Sequence, residues 1–209
     1  MSHKFLCLVV LLLVGGKVLA QTVETYAGHE RAGVDLMWFK YFNNQQGAHT
    51  PFLFFSRNRA NTDYRNSPTA FGSTNAVSYN FRNGIGIVAV GSLVNAGFIP
   101  KTGIQLVKTK GNFLFFGWLV AELKKDGNLD LFGMFRWQPK VNANWRVFSQ
   151  LELFPVYQPN QGVWNLTQRL RLGAKKRAWA AGGMADFNQS GKTDFRLTNN
   201  FGLFLRYDF

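Results

Sequence analysis

Residues 201–209 have the sequence Phe-Gly-Leu-Phe-Leu-Arg-Tyr-Asp-Phe, and the alternation in this stretch decides the fold. Every second residue is apolar: Phe201, Leu203, Leu205, Tyr207 and Phe209. Arg206 and Asp208 lie between them. Because successive side chains of a β-strand point to opposite faces, one face of this segment is wholly apolar and the other carries charge. A helical period would mix the charged residues with the apolar ones, so the pattern predicts a strand.

The same period of two recurs along most of the chain. It is clearest in residues 113–124, 129–138, 145–153 and 165–172. Less regular segments that are still strand-like are residues 34–42, 52–61, 70–81, 85–94, 102–109 and 178–187. Hairpin sequences separate several of them: Arg-Asn-Gly at 82–84, Gly-Asn at 111–112, Asp-Gly-Asn at 126–128 and Ser-Gly at 190–191. Eleven strands joined by short turns predict an all-β, antiparallel up-and-down barrel.

Two patterns favour a transmembrane barrel over a soluble sandwich or a lipocalin-like barrel. The predicted interior is polar and charged, with Arg136, Arg146, Glu152, Arg169, Arg171 and Arg206 on the inner faces. A soluble barrel would invert that arrangement. Aromatic residues also recur at strand ends, as in the girdles of membrane barrels. These residues are Trp38, Trp137, Trp145, Trp164, Tyr207 and Phe209.

The N-terminal sequence predicts export. Lys4 precedes the ten-residue apolar run 5–14, and a small residue, Ala20, follows shortly after. This is the pattern of a secretory signal peptide, and ten residues are too few for a membrane-spanning helix. We expect Sec-type export with cleavage near Ala20, so residues 1–20 are the signal peptide and residues 21–209 the barrel domain. Cys7 is the only cysteine, which leaves none for a disulfide in the exported part.

The segment 201–209 resembles the final strand of bacterial outer-membrane β-barrels, which typically ends in an aromatic residue. The resemblance implies that Tyr207 and Phe209 belong to the signal that the barrel-assembly machinery recognises. It also implies a location in the outer membrane of a Gram-negative bacterium, surrounded by outer-membrane lipid. Barrels of this class have an even number of strands with both termini in the periplasm. Adding residues 22–29 gives twelve strands, and ten is the alternative.

Counting back from the last strand assigns the connections to the two sides. Residues 61–69 and 155–162 become extracellular and long, as expected for this class. The long segment 43–50 falls on the periplasmic side, against that expectation.

The chain has 24 Lys and Arg but only 11 Asp and Glu, a formal net charge of +13. Such a charge is typical of nucleic-acid binding, but export argues against nucleic acid as a partner. Anionic lipid head groups or small anionic solutes are the more plausible partners of an exported basic protein.

The charged residues of the inner faces are the one group in the sequence whose arrangement suggests a function. A turn near Val141 would place Arg136 opposite Arg146 and Asp130 opposite Glu152. A loop between 155 and 162 would then place Arg171 near Arg146. The sequence thus predicts a lumen Arg belt of Arg136, Arg146, Arg169, Arg171 and Arg206, and an acidic level of Glu122, Asp130 and Glu152. Such a belt suits a narrow passive channel for small anionic solutes.

Two alternatives remain. Twelve strands lie between filled eight-stranded barrels and conducting sixteen-stranded ones, so a non-conducting structural or adhesion barrel fits as well. Some small outer-membrane barrels are lipid-acting enzymes, which need a base set against a nucleophile or water. His29 and His49 are the only histidines after residue 20, and no motif around them resembles such a site. We therefore predict no catalytic residue, no metal site and no cofactor.

Overall fold

A computed structural model describes residues 21–65 and 70–209, and this part of the chain forms one closed barrel of twelve antiparallel strands. The predicted signal peptide lies outside the described residues. The strands are β1 Thr22–Gly28, β2 Arg31–Asn43, β3 His49–Asp63, β4 Ala70–Asn80, β5 Ile85–Val94, β6 Gly97–Lys110, β7 Phe113–Glu122, β8 Leu129–Trp137, β9 Trp145–Gln158, β10 Val163–Lys176, β11 Trp179–Gly191 and β12 Arg196–Asp208. Within these ranges, no helix is long and apolar enough to cross a membrane.

The predicted up-and-down topology with twelve strands is confirmed. Each strand pairs with its neighbours in sequence, and β1 pairs with β12 to close the sheet. The strand added to reach an even number is β1, and the small-residue segment 178–187 is part of β11. Alternation therefore identified eleven of the twelve strands, including those with weak patterns, and the even strand number expected of this class supplied β1.

Both ends of the described chain lie at one end of the barrel, which we call the terminal end. The backbone N–H of Phe209 donates to the carbonyl of Gln21 at 3.1 Å. At the opposite, far end, β3 runs on to Asp63 and β9 to Gln158, so the connections there are shorter than the predicted 61–69 and 155–162. The expected difference in loop length between the two ends is therefore small.

The outer surface of the barrel is apolar, as the alternation requires. Exposed side chains on it include Ile87, Ile104, Leu119, Leu131, Leu151, Leu203 and Leu205. Aromatic pairs lie near both ends: Tyr157 packs on Trp164 at the far end, and Trp179 packs on Tyr207 at the terminal end. The outer wall thus presents an apolar band with aromatic residues at its edges, the pattern of membrane barrels.

The interior is divided into two halves, which corrects the prediction of a uniformly polar lumen. The inner faces of β2–β8 carry an apolar cluster that includes Phe55, Phe116, Trp118 and Phe132. Most of the other buried charged side chains lie on β9–β12 and β1–β3, around a second apolar cluster that includes Tyr26, Phe148 and Phe204. Strands β5 and β7 are mostly apolar on both faces, so alternation of polarity cannot show which of their residues point inward.

A pair of facing glycines makes room for rings inside the charged half. Gly173 on β10 pairs with Gly182 on β11, and Phe148 and Phe204 lie beside them with ring centroids 5.5 Å apart. A Cβ on Gly182 would lie 2.1 Å from the carbonyl oxygen of Leu172. The absence of a side chain is therefore a packing requirement at this position.

Candidate lumen site

The β8–β9 hairpin differs in register from the prediction. Arg136 pairs with Gln150 and Asp130 with Val156, so the expected pairings with Arg146 and Glu152 are wrong. The cause is the turn. The backbone N–H of Val141 is still bonded to the carbonyl of Trp145, which centres the reversal near Ala143. Because the turn is centred two residues later than predicted, each residue of β8 pairs with a residue of β9 four positions later than predicted.

The β9–β10 hairpin shows the same kind of shift. Arg171 lies opposite Gln150, and Arg169 lies opposite Glu152. The expected proximity of Arg171 to Arg146 is wrong, because both strands continue to a short turn at 159–162 instead of ending at Pro155. Lys175 is the residue that faces Arg146.

Three of the five predicted belt arginines come together around the side chain of Gln150. Its Oε1 accepts from Arg136 Nε at 2.8 Å and from Arg206 Nη1 at 3.3 Å, and Arg171 is its strand partner. Arg169 lies one inward position further towards the far end. Arg146 lies at the terminal rim, where it donates to Asn112 Oδ1 at 3.4 Å.

The three predicted acidic residues have separate partners. Glu122 accepts from Lys124 at 2.7 Å, at the far-end turn. Asp130 pairs with buried Lys101 on β6. Glu152 lies among arginines, 3.6 Å from Arg169 Nη1. The structure therefore places Glu152 within the cationic part of the lumen, apart from the other two.

Sequence reasoning missed several charged residues on β1, β2, β3, β6 and β11. Arg57 and Arg59 on β3 both bind Asp35 on β2, at 2.5 and 3.0 Å. Arg171 binds Glu24 on β1 at 2.8 Å and Asp186 on β11 at 2.6 Å. Arg57 and Arg59 alternate with Asn58 and Ala60 along β3. This period of two could have assigned both arginines to the inner face.

One ion pair crosses the whole lumen. Arg57 on β3 binds Glu152 on β9, with Nη1–Oε2 at 3.0 Å and Nη2–Oε1 at 3.1 Å. Six strand steps separate β3 from β9 in either direction around the barrel, so the two residues start from opposite walls. Glu152 also accepts from Gln150 Nε2 at 2.7 Å. This bridge closes the charged half at mid-height.

An aromatic layer closes the other half. The ring of Phe55 lies 5.1 Å from the rings of both Phe116 and Trp118, and Trp118 lies 5.1 Å from Phe132. Phe55 is on β3 and the other three residues are on β7 and β8, so these rings also reach across the interior. The barrel is thus filled at mid-height by rings on one side and ions on the other.

Within the described part of the chain, a cavity lies towards each end of the interior. The far-end cavity is about 210 Å³, and the terminal-end cavity is about 240 Å³. Between them lies a gap of about 10 Å³ beside Arg57 and Glu152. Among the described residues, the far-end cavity is lined by Phe55, Arg57, Arg59, Gly72, Thr74, Val90, Ser92, Val94, Lys101, Trp118, Val120, Asp130, Phe132, Phe154 and Arg169.

His29, His49 and Tyr207 line neither cavity, whereas Phe209 lies at the wall of the terminal-end cavity. His29 bonds to the backbone of Phe201 at the far end, and His49 bonds to Asn43 Oδ1 at 2.9 Å at the terminal end. The first contact joins the end of β1 to β12, and the second joins the ends of β2 and β3. Tyr207 and Phe209 pack ring against ring at the terminal end of the outer wall, with centroids 4.8 Å apart.

The closed meander, the apolar outer wall and the charged lumen define the class: a small β-barrel with the fold of outer-membrane porins. Two solved structures show this likeness. The KdgM porin in complex with disordered oligogalacturonate is 13% identical with a TM-score of 0.50, over 90% of this chain and 98% of that one. The NanC porin is 10% identical with a TM-score of 0.52, over 90% and 99%. The sequence matches no protein-family model and no curated protein.

Proposed function

We propose that the protein is an integral outer-membrane barrel that acts as a narrow passive channel for small anionic solutes, without catalytic activity. The observation that carries the proposal is the lining of the far-end cavity. Among the described residues, four cations reach it, Arg57, Arg59, Lys101 and Arg169, against the single carboxylate of Asp130. Porins are also the proteins whose fold this chain shares, and one of them was solved with an acidic saccharide.

The outer wall supports the membrane location. Its exposed Leu, Ile and Phe side chains would be unfavourable in water but suit a lipid environment, and the charged groups are inside. The predicted signal peptide supplies the export route. Recovery of the chain in the outer-membrane fraction, without residues 1–20, is the expected result, whereas a soluble periplasmic monomer would contradict the location.

The arginines support the choice of anions. An Arg guanidinium stays charged at any accessible pH and offers a planar fork that suits carboxylate or phosphate. Low-dielectric walls concentrate the field of such groups inside a narrow lumen, and added salt weakens it. The four cations of the far-end cavity are paired with three carboxylates, Asp35, Asp130 and Glu152, so one excess positive charge remains there to favour an anion.

The filled middle of the barrel favours a second candidate, a non-conducting structural barrel. The Arg57–Glu152 bridge and the layer around Phe55 leave only the gap of about 10 Å³ between the cavities. Conduction requires these groups to move apart. A barrel whose middle never opens would instead use its ion pairs solely to fill the lumen.

Reversal potentials in a salt gradient across planar bilayers test the channel. We expect anion preference in the wild type and a clear loss of that preference in the Arg59→Gln, Arg169→Gln double variant. Lys108→Gln is the matched control, because Lys108 is exposed on the outer face of β6. Cation preference in the wild type, or equal selectivity in the double variant and the control, would contradict the proposal. The absence of any conductance would support the structural barrel.

A further inference from the structure

The far-end cavity has two chemically different walls. Its apolar side is formed by Phe55, Val90, Val94, Trp118, Val120, Phe132 and Phe154. Its cationic side is formed mainly by Arg57, Arg59 and Arg169. A ligand that fits both walls needs an apolar body with an anionic group at one end.

The cationic wall has unused hydrogen-bonding capacity. Arg59 contacts Asp35 through Nη2 at 3.0 Å, but its Nε is buried without a hydrogen-bond partner. Its guanidinium also lies 5.5 Å from the ring centroid of Tyr26. Arg169 contacts Glu152 only at 3.6 Å, and its side chain is 24% exposed. A buried donor without a hydrogen-bond partner costs free energy. A ligand carboxylate oxygen that accepted from Arg59 Nε would remove that cost.

The size of the cavity limits the body of the ligand. A volume of roughly 150 Å³ is enough to hold benzene in an apolar protein interior. The far-end cavity of about 210 Å³ therefore accommodates one six-membered ring together with a carboxylate.

The lining also selects the kind of ring. Hydroxyl groups of a sugar would face Val90, Val94 and Val120, which offer no hydrogen bonds. The nearby hydroxyls of Thr74 and Ser92 already bond to each other at 3.2 Å. Burying unpaired hydroxyls costs free energy, whereas an aromatic ring gains by packing on Trp118 and Phe132.

We propose that the far-end cavity binds a single-ring aromatic carboxylate, with the ring against the apolar wall and the carboxylate on Arg59 and Arg169. The assignment rests on the proposed anion channel and names its solute class. The wall of the cavity itself carries one carboxylate, that of Asp130. Because Asp130 is paired with Lys101, it repels the carboxylate of a bound ligand only weakly. Arg59 and Arg169 lie on β3 and β10, whereas Asp130 lies on β8.

Isothermal titration calorimetry of the refolded protein in detergent tests this site directly. The probe is benzoate, and the comparison ligands are acetate, benzyl alcohol and galacturonate. We expect saturable one-to-one binding of benzoate and at least about tenfold weaker binding of the other three, since each lacks the ring, the charge or the apolar surface. Equal binding of galacturonate, or no binding of benzoate, would overturn the assignment.

Variants locate the site. Arg59→Gln and Trp118→Leu should each weaken benzoate binding by about tenfold, and Lys108→Gln should not. Each variant is accepted only if its circular dichroism shows the wild-type strand content. Unchanged binding in both Arg59→Gln and Trp118→Leu would place benzoate elsewhere and overturn the proposal. Because binding needs no conduction, anion conductance without benzoate binding contradicts this site alone, whereas benzoate binding without conductance contradicts the channel alone.

Discussion

Replacing Glu152 by Gln removes the anionic partner of the bridge that crosses the lumen. The side chain of Glu152 is 5% exposed and contacts Arg57, Arg169 and Gln150. Gln keeps the volume and one acceptor oxygen but carries no charge. Arg57 would then retain only Asp35, and Arg169 would lose the carboxylate that lies 3.6 Å away.

The structure sets the expected magnitude. Removing one member of a buried ion pair costs about 3–5 kcal/mol when the remaining charge is left uncompensated. Asp35 still compensates Arg57, so we expect the lower end, about 3 kcal/mol. The matched control is Glu122→Gln, which removes an equally buried carboxylate. Its partner Lys124 is 59% exposed, so water solvates the lysine and the loss should be about 1 kcal/mol or less.

Two measurements check the reasoning. Equilibrium unfolding by urea in lipid vesicles should show a difference of about 2 kcal/mol between the two variants. In planar bilayers, Glu152→Gln should be open more often and more anion-selective than the wild type, since the bridge is lost and the lumen gains one positive charge. If Glu152→Gln were no less stable than Glu122→Gln, the bridge would not hold the barrel together as argued.

Three further substitutions test the outer wall, the glycine pair and the end of the last strand. Leu151→Arg puts a charge on the apolar outer face and should destabilise the barrel by about 2–4 kcal/mol in urea unfolding if the position is near the bilayer midplane. Gly182→Ala should cost about 1–3 kcal/mol in the same assay because its Cβ would meet backbone at 2.1 Å, whereas Gly183→Ala meets no described atom within 4 Å and should be tolerated. Deleting Phe209 should lower the amount of assembled barrel in outer-membrane fractions, and a normal amount would count against its role in assembly.

The sequence predicted the strands well because alternation is a local property. In β12, one residue in two is apolar and the others include Arg206 and Asp208, so the faces can be assigned without knowing any neighbour. In β7, by contrast, Phe116 and Trp118 point inward while Phe115 and Leu119 point outward. Where both faces are apolar, polarity alternation gives the strand but not the contents of the lumen.

Register was harder to predict, because it depends on turn geometry. The prediction centred the β8–β9 turn on Val141, but the chain reverses at Ala143, and the partners of Arg136 and Asp130 changed with it. The ion pairs of the lumen depend on register and also on contacts across the barrel. Arg57 meets Glu152 from the opposite wall, and no pattern within either strand encodes that contact.

The position of Glu24 has a consequence for the order in which the barrel matures. Glu24 is on β1, yet its partners Arg171 and Arg206 are on β10 and β12, which are synthesised long after β1. These arginines reach Glu24 only when β1 and β12 pair. A one-residue slip of β1 against β12 would point Glu24 outward and leave both arginines without it. The charges of Arg171 and Arg206 are therefore incompletely neutralised until β1 pairs with β12. Their pairing with Glu24 favours the one register in which these two strands close the barrel correctly.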